Sequence, residues 1–289
     1  MLSDFGLSRV AEQLNNAAKD SIRLAASEPS QAAVSRLFGR PNLPAGADWP
    51  TSADGPLAFV AQLDLGNLPK IHGLGLPCSG SLFFFFCGVV PHEKSKERER
   101  FRVLYFDRPL TEFPERNFPR DLPSKLRWKG LQYAVARTEI SFPWPEDTVV
   151  EQLDLNEQEY KDFCRFSGHW IDSPGEPQSL HRIGGYPNYV QHDPKFEAHL
   201  RSLDLWAGIE DNPDNLSAED HFRESNRRFS EIKRRLKPEA AAWELLLQVD
   251  SEENAGMMWG DTGRLYFLIR QDDLHARRFE NTWMVWDCY

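Results

Sequence analysis

The sequence has few of the features that mark secreted, membrane-spanning or redox-active proteins. Its 289 residues include only four cysteines, and none of them forms a CxxC pair, which favours free thiols in a reducing compartment. The longest apolar run, Leu82 to Cys87, is much shorter than the roughly 18 residues that a membrane-spanning helix needs. The first 20 residues lack the basic and then apolar pattern of a secretory signal. We therefore expect a cytoplasmic protein with no membrane segment.

Motifs of common enzyme classes are also missing. The sequence contains no GxSxG, P-loop or GxGxxG motif, and its eight histidines show neither HxH nor HExxH spacing. Cys164 and His169 could form a nucleophile pair in the folded chain, but Cys164 is expected to pack on the inner face of a short helix. His192-Asp193 is only an adjacent pair, without metal-ligand spacing. We predict no catalytic residue, metal or cofactor, and we lean towards a protein that is not an enzyme.

Acidic residues outnumber basic ones. The chain has 44 Asp and Glu against 34 Lys and Arg, which gives a formal net charge of −10 at pH 7. Sequence-independent nucleic-acid binding depends on an excess of cations, so this balance argues against it. A basic protein is the better electrostatic partner, although the charge could serve solubility alone. Hydrophobic residues at 40% and aromatics at 12% indicate a globular chain with a substantial core.

Hydrophobic periodicity predicts an α+β fold, mainly antiparallel β, with peripheral helices. Apolar residues at helical spacing predict one helix over residues 1–28, which Pro29 ends. We expect this N-terminal unit, residues 1–30, to pack on a single domain formed by residues 31–289. The remaining predicted elements are helices at 157–166 and 217–236, strands at 57–65, 80–87, 101–106, 132–142, 243–250, 264–270 and 282–287, and a solvated loop at 92–102.

Three short patterns occur twice and in the same order. Gly-x-Pro-Asn is a turn, an apolar strand ending in Gln-x-Asp follows it, and a glycine opens the next strand. We therefore predict an internal duplication, with related halves at about 31–150 and 180–289. The matched segments are 39–42 with 185–188, 59–64 with 245–250, and 80–85 with 263–268. The residues expected to shape these turns and loops are Gly39, Pro41, Trp49, Gly80, Gly184, Gly185, Pro187, Gly260 and Gly263.

These motifs resemble those of the YwqG-like family, a widespread bacterial family named as a domain of unknown function. The resemblance rests on FGRPNLP, PLAFVAQLDL, GSLFFFF, GGYPNYVQ, LLLQVDS and MWGDTGRLYF, and it spans Phe38 to Leu274. Family members usually carry two glycines where this chain has Phe38-Gly39, whereas Gly184-Gly185 keeps both. The resemblance implies a sheet-rich α+β fold with two related halves and no established catalytic activity. Some members resemble neighbours of secreted toxins, which implies immunity or protein-binding roles.

Polar residues at the repeat junctions are the candidate site. They either cap the N–H groups of loops or line a groove for a ligand or partner, and both alternatives remain open. Asp64 and Asp250 could act as paired acid–base carboxylates if the two halves meet there. Met257, Met258 and Trp259 could form either a contact surface or part of the core. The candidate residues are Gln62, Asp64, Gln248, Asp250, Trp259 and Asp261.

Three functional hypotheses follow from the sequence, and the third is a structural or scaffold role. The first is a non-enzymatic protein that binds a basic protein, because the chain is acidic and lacks catalytic motifs. An immunity-type inhibitor of a toxin is one form of this role. The second is a small-ligand receptor or a hydrolase-type enzyme with its site between the repeats. A deep cleft with exposed Asp64 and Asp250 would favour the second hypothesis, and a broad acidic face would favour the first.

Overall fold

The protein is built on one ten-stranded antiparallel sheet. The computed structural model describes residues 1–27, 35–88, 96–171, 179–210 and 215–289. The strands in chain order are β1 (Lys19–Ser27), β2 (Arg36–Leu37), β3 (Thr51–Ser52), β4 (Gly55–Pro56), β5 (Ala58–Asp64), β6 (Ser81–Phe86), β7 (Phe101–Phe106), β8 (Leu131–Ser141), β9 (Arg182–Gly184), β10 (Trp243–Asp250), β11 (Arg264–Arg270) and β12 (Trp283–Asp287). β3 and β4 pair separately, and the other strands form the large sheet.

The strand order places related elements on either side of a central pair. The order is β12-β11-β10-β9-β1-β8-β2-β5-β6-β7, so β1 and β8 lie in the middle. On each side a short strand, β9 or β2, is followed by three strands that are consecutive in the chain and pair with one another. All the pairings are antiparallel. The position of β1 between β8 and β9 makes the N-terminal segment part of the sheet.

The sheet curves around one main hydrophobic core to which both sides contribute. The ring centroids of Phe84 on β6 and Phe267 on β11 lie 4.9 Å apart, although six strands separate β6 from β11 in the sheet. The outermost strands also approach, because the rings of Phe101 and Trp283 are 5.8 Å apart. Arg98 packs over the Trp283 ring, and its guanidinium donates to the carbonyl oxygens of Glu280 and Thr282. A side chain therefore joins the two edges of the sheet.

Helices cover the sheet in two groups. Leu7 and Leu14 in the N-terminal segment pack with Phe163 and Phe166 of α3 (Glu157–Ile171) in one small core. A second core joins α4 (Pro194–Ser202) and α5 (Trp206–Glu210) to α6 (Ala218–Leu236). None of the described helices combines the length and apolar character needed to cross a bilayer. The helices are α1 (Ala11–Ala17), α2 (Thr148–Glu151), α3 (Glu157–Ile171), α4 (Pro194–Ser202), α5 (Trp206–Glu210), α6 (Ala218–Leu236) and α7 (Gln271–His275).

The α+β class and its antiparallel sheet are confirmed, and each predicted strand is found within one residue at either end. Ser217 caps the start of α6, because its Oγ accepts a hydrogen bond from the Asp220 N–H at 3.2 Å. The loop predicted at 92–102 falls partly on residues 92–95, which lie outside the described part of the chain.

The prediction of one helix over residues 1–28 is wrong. The helix ends at Ala17, and Ala18 adopts an extended conformation with a ψ of 143°. The following segment is β1, in which Ile22 and Leu24 face the main core while Arg23, between them, faces the other side of the sheet. Small and apolar residues in this segment satisfy helical spacing and strand alternation equally well, so periodicity alone could not separate them. Residues 28–30 of the proposed N-terminal unit lie outside the described residues.

Candidate functional site

The two repeated glutamines hold loops against the sheet. Gln62 Oε1 accepts from the Asn42 N–H at 2.8 Å, and its Nε2 donates to Asn42 Oδ1 at 3.0 Å. Gln248 Oε1 accepts from the Asn188 N–H at 2.9 Å, and its Nε2 donates to Asn188 Oδ1 at 3.1 Å and to the Leu180 carbonyl at 2.6 Å. Both glutamines are completely buried. Because buried backbone groups need such partners, these side chains have a structural role.

The equivalence of the two sides extends beyond the glutamines. Arg36 on β2 lies opposite the first glutamine, and Arg182 on β9 lies opposite the second. Arg36 Nη1 donates to the Arg40 carbonyl at 3.0 Å, and Arg182 Nη1 donates to the Tyr186 carbonyl at 3.1 Å, four residues on in each case. The hairpins β5–β6 and β10–β11 also contain a register shift at equivalent positions. These contacts support the hypothesis of an internal duplication.

The turn before each loop has the same left-handed backbone. The φ angles are 56° at Phe38 and 71° at Gly39, against 69° at Gly184 and 70° at Gly185. A Cβ atom on Gly185 would lie 2.3 Å from Ser141 Oγ, so this position admits only glycine without a local shift. Phe38 adopts a conformation that is unfavourable for a side chain with a Cβ, and its buried ring packs in the main core.

The two aspartates are held within their own sides of the sheet. Asp64 Oδ2 accepts from Asn67 Nδ2 at 2.8 Å. Asp250 accepts from the Leu180 N–H at 2.9 Å, from the Ser251 N–H at 3.0 Å and from Arg264 Nε at 3.1 Å. Four strands lie between β5 and β10 in the sheet. The contacts therefore give no support to an acid–base pair of these carboxylates.

Trp259 and Asp261 occupy different environments. Trp259 is fully buried, and its ring packs 5.2 Å from Trp128 and 5.9 Å from Phe86, between centroids. Its Nε1 is buried without a hydrogen-bond partner. Asp261 is exposed, and its backbone carbonyl accepts from the Tyr289 N–H at 3.0 Å. Trp259 is thus a core residue, and only Asp261 is available to a partner.

A cleft of about 750 Å³ opens at the end of β10. Of the six candidate residues, Asp250 lines it. Ser179 and His181, which form another polar wall, were not predicted from the sequence, because they come from a segment outside the repeated motifs. The lining residues are Leu24, Ala25, Ser179, His181, Asp250, Ser251, Glu252, Glu253, Asn254, Met257, Met258, Thr262, Arg264 and Tyr289.

A buried hydrogen-bond network fixes the floor of the cleft. His181 Nδ1 accepts from the Asp250 N–H at 3.1 Å, so the ring proton lies on Nε2, which faces Glu252 Oε2 at 3.2 Å. Ser179 Oγ donates to the same oxygen at 2.5 Å. The hydrogen bond from His181, with further donors at Ser179 and the Asn254 N–H, lowers the pKa of Glu252 from 4.5 to about 2. The network therefore places a permanent negative charge beside the cleft at neutral pH.

Exposed apolar side chains border this cleft. Met258 is 56% exposed and Tyr289 is 67% exposed, and both line the cleft. Trp286 is 39% exposed and lies close to Gly260 in the adjoining loop. Met257, by contrast, is buried in the main core. An apolar rim next to charged walls is the composition of a binding surface.

The cleft has no activated nucleophile or metal site among the residues that the structure describes. Ser179 donates its hydroxyl hydrogen to Glu252, and Ser251 donates its own to the Gly263 carbonyl at 2.9 Å. An attacking serine needs a base that is strong enough to take this hydrogen. Glu252, with a pKa of about 2, is a weak base, and the Gly263 carbonyl is not a base at neutral pH. No group of three His, Cys, Asp or Glu side chains is placed to hold a metal ion in the described ranges. The geometry is suited to binding.

Cys164 differs from its predicted position. It is exposed, because Phe163 and Phe166 form the inner face of α3 and the residue after Phe163 turns away from it. Partial desolvation of the sulfur on the helix surface, together with the nearby charge of Glu146, raises the pKa of the Cys164 thiol. The sulfur is therefore protonated at neutral pH, which argues against a nucleophile pair with His169.

A second charged cluster lies in the middle of the sheet. Glu139 on β8 accepts from Arg23 Nε at 3.1 Å and from Arg182 Nε at 2.8 Å. Both arginines are 3% exposed. Burial opposes ionisation of Glu139, but the charges of Arg182 and Arg23 outweigh it and lower its pKa. Arg23 Nη1 is buried and has no hydrogen-bond partner, and an unsatisfied buried donor costs about 1–3 kcal/mol.

Comparison with known proteins identifies a family but no activity. No curated protein matches the sequence. The model of the family described as "Domain of unknown function (DUF1963)" matches residues 35–288. The match begins after β1 and contains both hairpins, the two loop-holding glutamines and nearly all of the cleft. Because the match covers most of the chain, this protein belongs to the DUF1963 family.

Proposed function

We propose that this protein is a non-enzymatic binding module that captures a basic segment of another protein in the cleft beside β10. The observation that carries the proposal is the meeting of negative charge and exposed apolar surface at one place. Met258 and Tyr289 supply the apolar rim, and Glu252 and Glu253 supply carboxylates in the same cleft.

Charge in the cleft favours a cationic partner. Its lining contains three carboxylates, on Asp250, Glu252 and Glu253, against the single guanidinium of Arg264. Asp250 and Arg264 form an ion pair at 3.1 Å, so the remaining carboxylates define the local potential. The net charge of −10 over the whole chain acts in the same direction and would accelerate encounter with a basic protein.

The apolar rim matches the chemistry of lysine and arginine side chains. These side chains carry aliphatic stems below their charged ends and pack well on Met and aromatic surfaces. Tyr289, Trp286 and Met258 offer such a surface next to the carboxylates. A partner segment with alternating basic and apolar residues would use both parts of the site.

The biological setting that we infer is immunity-like inhibition in the cytoplasm. The resemblance to the YwqG-like family, some of whose members resemble neighbours of secreted toxins, supports this setting by association only. A toxin with a basic surface segment is the partner class that fits both the resemblance and the charge of the cleft.

The experiment is affinity capture from a lysate of the source cells at low and high salt, read by mass spectrometry. Wild type is compared with Glu253→Arg in the cleft and with Glu219→Arg, an exposed control on α6. We expect one dominant basic protein, retained by the control, lost by Glu253→Arg and weakened at high salt. Capture that is equal for both variants would place the interaction elsewhere and refute the proposal.

The alternative is a small-ligand receptor in the same cleft. Its volume of about 750 Å³ and its mixture of His181, Arg264 and carboxylates suit a polar ligand. A hydrolase is less favoured, because neither cleft serine donates its hydroxyl hydrogen to a base strong enough to take it. A thermal-shift screen of small polar molecules distinguishes the two functions. A hit whose stabilisation disappears in Asp250→Asn, without any captured protein, would favour the receptor.

A further inference from the structure

Three arginines lie side by side across the centre of the sheet. Arg23 on β1 is directly opposite Arg137 on β8 and directly opposite Arg182 on β9. Directly opposed residues in neighbouring antiparallel strands point to the same face, with their Cβ atoms about 5 Å apart. Like charges in such a row repel one another, so the row requires compensating negative charge.

Glu139 compensates only part of the charge of Arg23 and Arg182. Its two carboxylate oxygens accept from Arg23 Nε and from Arg182 Nε and Nη2, so one negative charge serves two buried guanidinium groups. Arg182 completes its hydrogen bonding through Nη1, which donates to the Tyr186 carbonyl and to Asn188 Oδ1, each at 3.1 Å. Arg23 differs, because its Nη1 is buried and has no partner.

We propose that a small oxyanion, a phosphate or carboxylate group, binds on this face of the sheet beside Arg23 and receives a hydrogen bond from Arg23 Nη1. Guanidinium groups present parallel N–H donors that match the oxygens of both groups. The anion would supply the negative charge that Glu139 alone does not. This site is separate from the proposed protein-binding function, which relies on carboxylates in the cleft.

Arg137 provides the side of entry. Arg137 is exposed, whereas Arg23 on the neighbouring strand is only 3% exposed. The change from solvent to interior therefore occurs between two adjacent strands. An anion that approaches Arg137 from solvent would reach Arg23 over about 5 Å. Phosphate should bind more tightly than acetate, because it carries the larger charge at neutral pH.

The test uses the full chain and inorganic phosphate, with acetate as the second probe. Melting temperature is measured against rising sodium phosphate, with sodium chloride added to hold ionic strength constant, and affinity is measured by calorimetry. We expect a saturable increase in melting temperature that chloride alone does not reproduce. An increase identical to that in chloride would overturn the site outright. A larger effect for acetate than for phosphate would assign it to a carboxylate ligand instead.

Variants then locate the anion. Arg23→Lys keeps the positive charge but removes Nη1, and we expect an affinity loss of about tenfold or more. Arg165→Gln, an exposed arginine on α3, is the control and should bind as wild type does. If Arg23→Lys fails to fold, Arg137→Gln at the exposed end of the row replaces it and should also weaken binding. Phosphate affinity unchanged in the folded variant would refute the assignment.

Discussion

The hairpins β5–β6 and β10–β11 share one hydrogen-bonding scheme and differ at their open ends. After β5, Asp64 faces Ser81 across the hairpin, and both are buried. After β10, Asp250 faces Arg264, and this ion pair forms a wall of the cleft. The loop after β5 lines a cavity of about 350 Å³ that Asp64 does not line, whereas Asp250 lines the charged cleft of about 750 Å³. The proposed binding function therefore rests on the hairpin end that carries the charged cleft, and not on the contacts that both sides share.

The largest expected effect tests what the two hairpins share. Gln62→Leu leaves the backbone N–H of Asn42 without its acceptor, and Gln248→Leu does the same to the N–H of Asn188. Each change also removes the donor to the asparagine Oδ1, so we expect each to lower the free energy of unfolding by about 3 kcal/mol. Urea denaturation followed by circular dichroism measures both, with the exposed Gln152→Leu as a control. Losses that differ by more than about 2 kcal/mol would break the equivalence of the hairpins.

The next effect tests the turn at which the two sides differ. Phe38→Gly relieves the strain of a left-handed φ, which should raise the free energy of unfolding by about 1–2 kcal/mol. It also removes a buried ring, which should lower the free energy of unfolding by about 3–5 kcal/mol. We therefore expect a net destabilisation of about 2 kcal/mol. Gly184→Ala, on the other side, should cost about 1 kcal/mol because it places a Cβ at a φ of 69°. A Phe38→Gly variant more stable than wild type would contradict this balance.

A smaller effect concerns stability in acid and is specific to the β10–β11 hairpin. The pKa of Glu252 falls from 4.5 in the unfolded chain to about 2 in the folded protein. Stability from this group is therefore complete above about pH 4.5 and is lost as the pH falls towards 2. Glu252→Gln should flatten the stability profile in this window by about 1–2 kcal/mol. Gly66 stands two residues after Asp64, as Glu252 does after Asp250, so the first hairpin has no such group.

The smallest effect compares the aspartates themselves. Asp250→Asn weakens the contact with Arg264 and should cost about 1–2 kcal/mol, whereas Asp64→Asn keeps a partner at Asn67 and should cost less than about 1 kcal/mol. Thermal denaturation of both variants at neutral pH makes the comparison. A larger loss of stability in Asp64→Asn than in Asp250→Asn would show that the end of β5 depends more on its carboxylate than the end of β10 does.

Strands with strong local signals could be predicted from the sequence. β6 is an unbroken apolar run that follows Gly80, and β10 ends in a repeated polar pattern. The length of each run and the residues at its ends therefore identified both strands. β9 has three residues and was missed, because it is too short to show alternation. β1 was mistaken for helix, since only its pairing with β8 and β9 determines that it is extended.

The candidate site was predictable only in part. Asp250 was identified through the repeat, but His181 reaches Asp250 and Glu252 through contacts across about 70 residues of chain, which no local pattern records. Trp259 was placed among the candidates because it lies in a loop motif, yet its ring fills the main core. A loop position does not reveal which side of the loop meets the core, and this depends on tertiary packing.

The central position of β1 has a consequence for folding while the chain is being synthesised. Residues 19–27 leave the ribosome early, but their neighbours β8 and β9 extend to residue 184. At about 5–20 residues per second, the first strand waits for roughly 10–30 s with Ile22 and Leu24 uncovered. In that interval these apolar side chains lack their native neighbours in the sheet. The two sides of the sheet are joined only when β1 pairs with β8 and with β9, so a strand made before both of its neighbours completes the link between the halves.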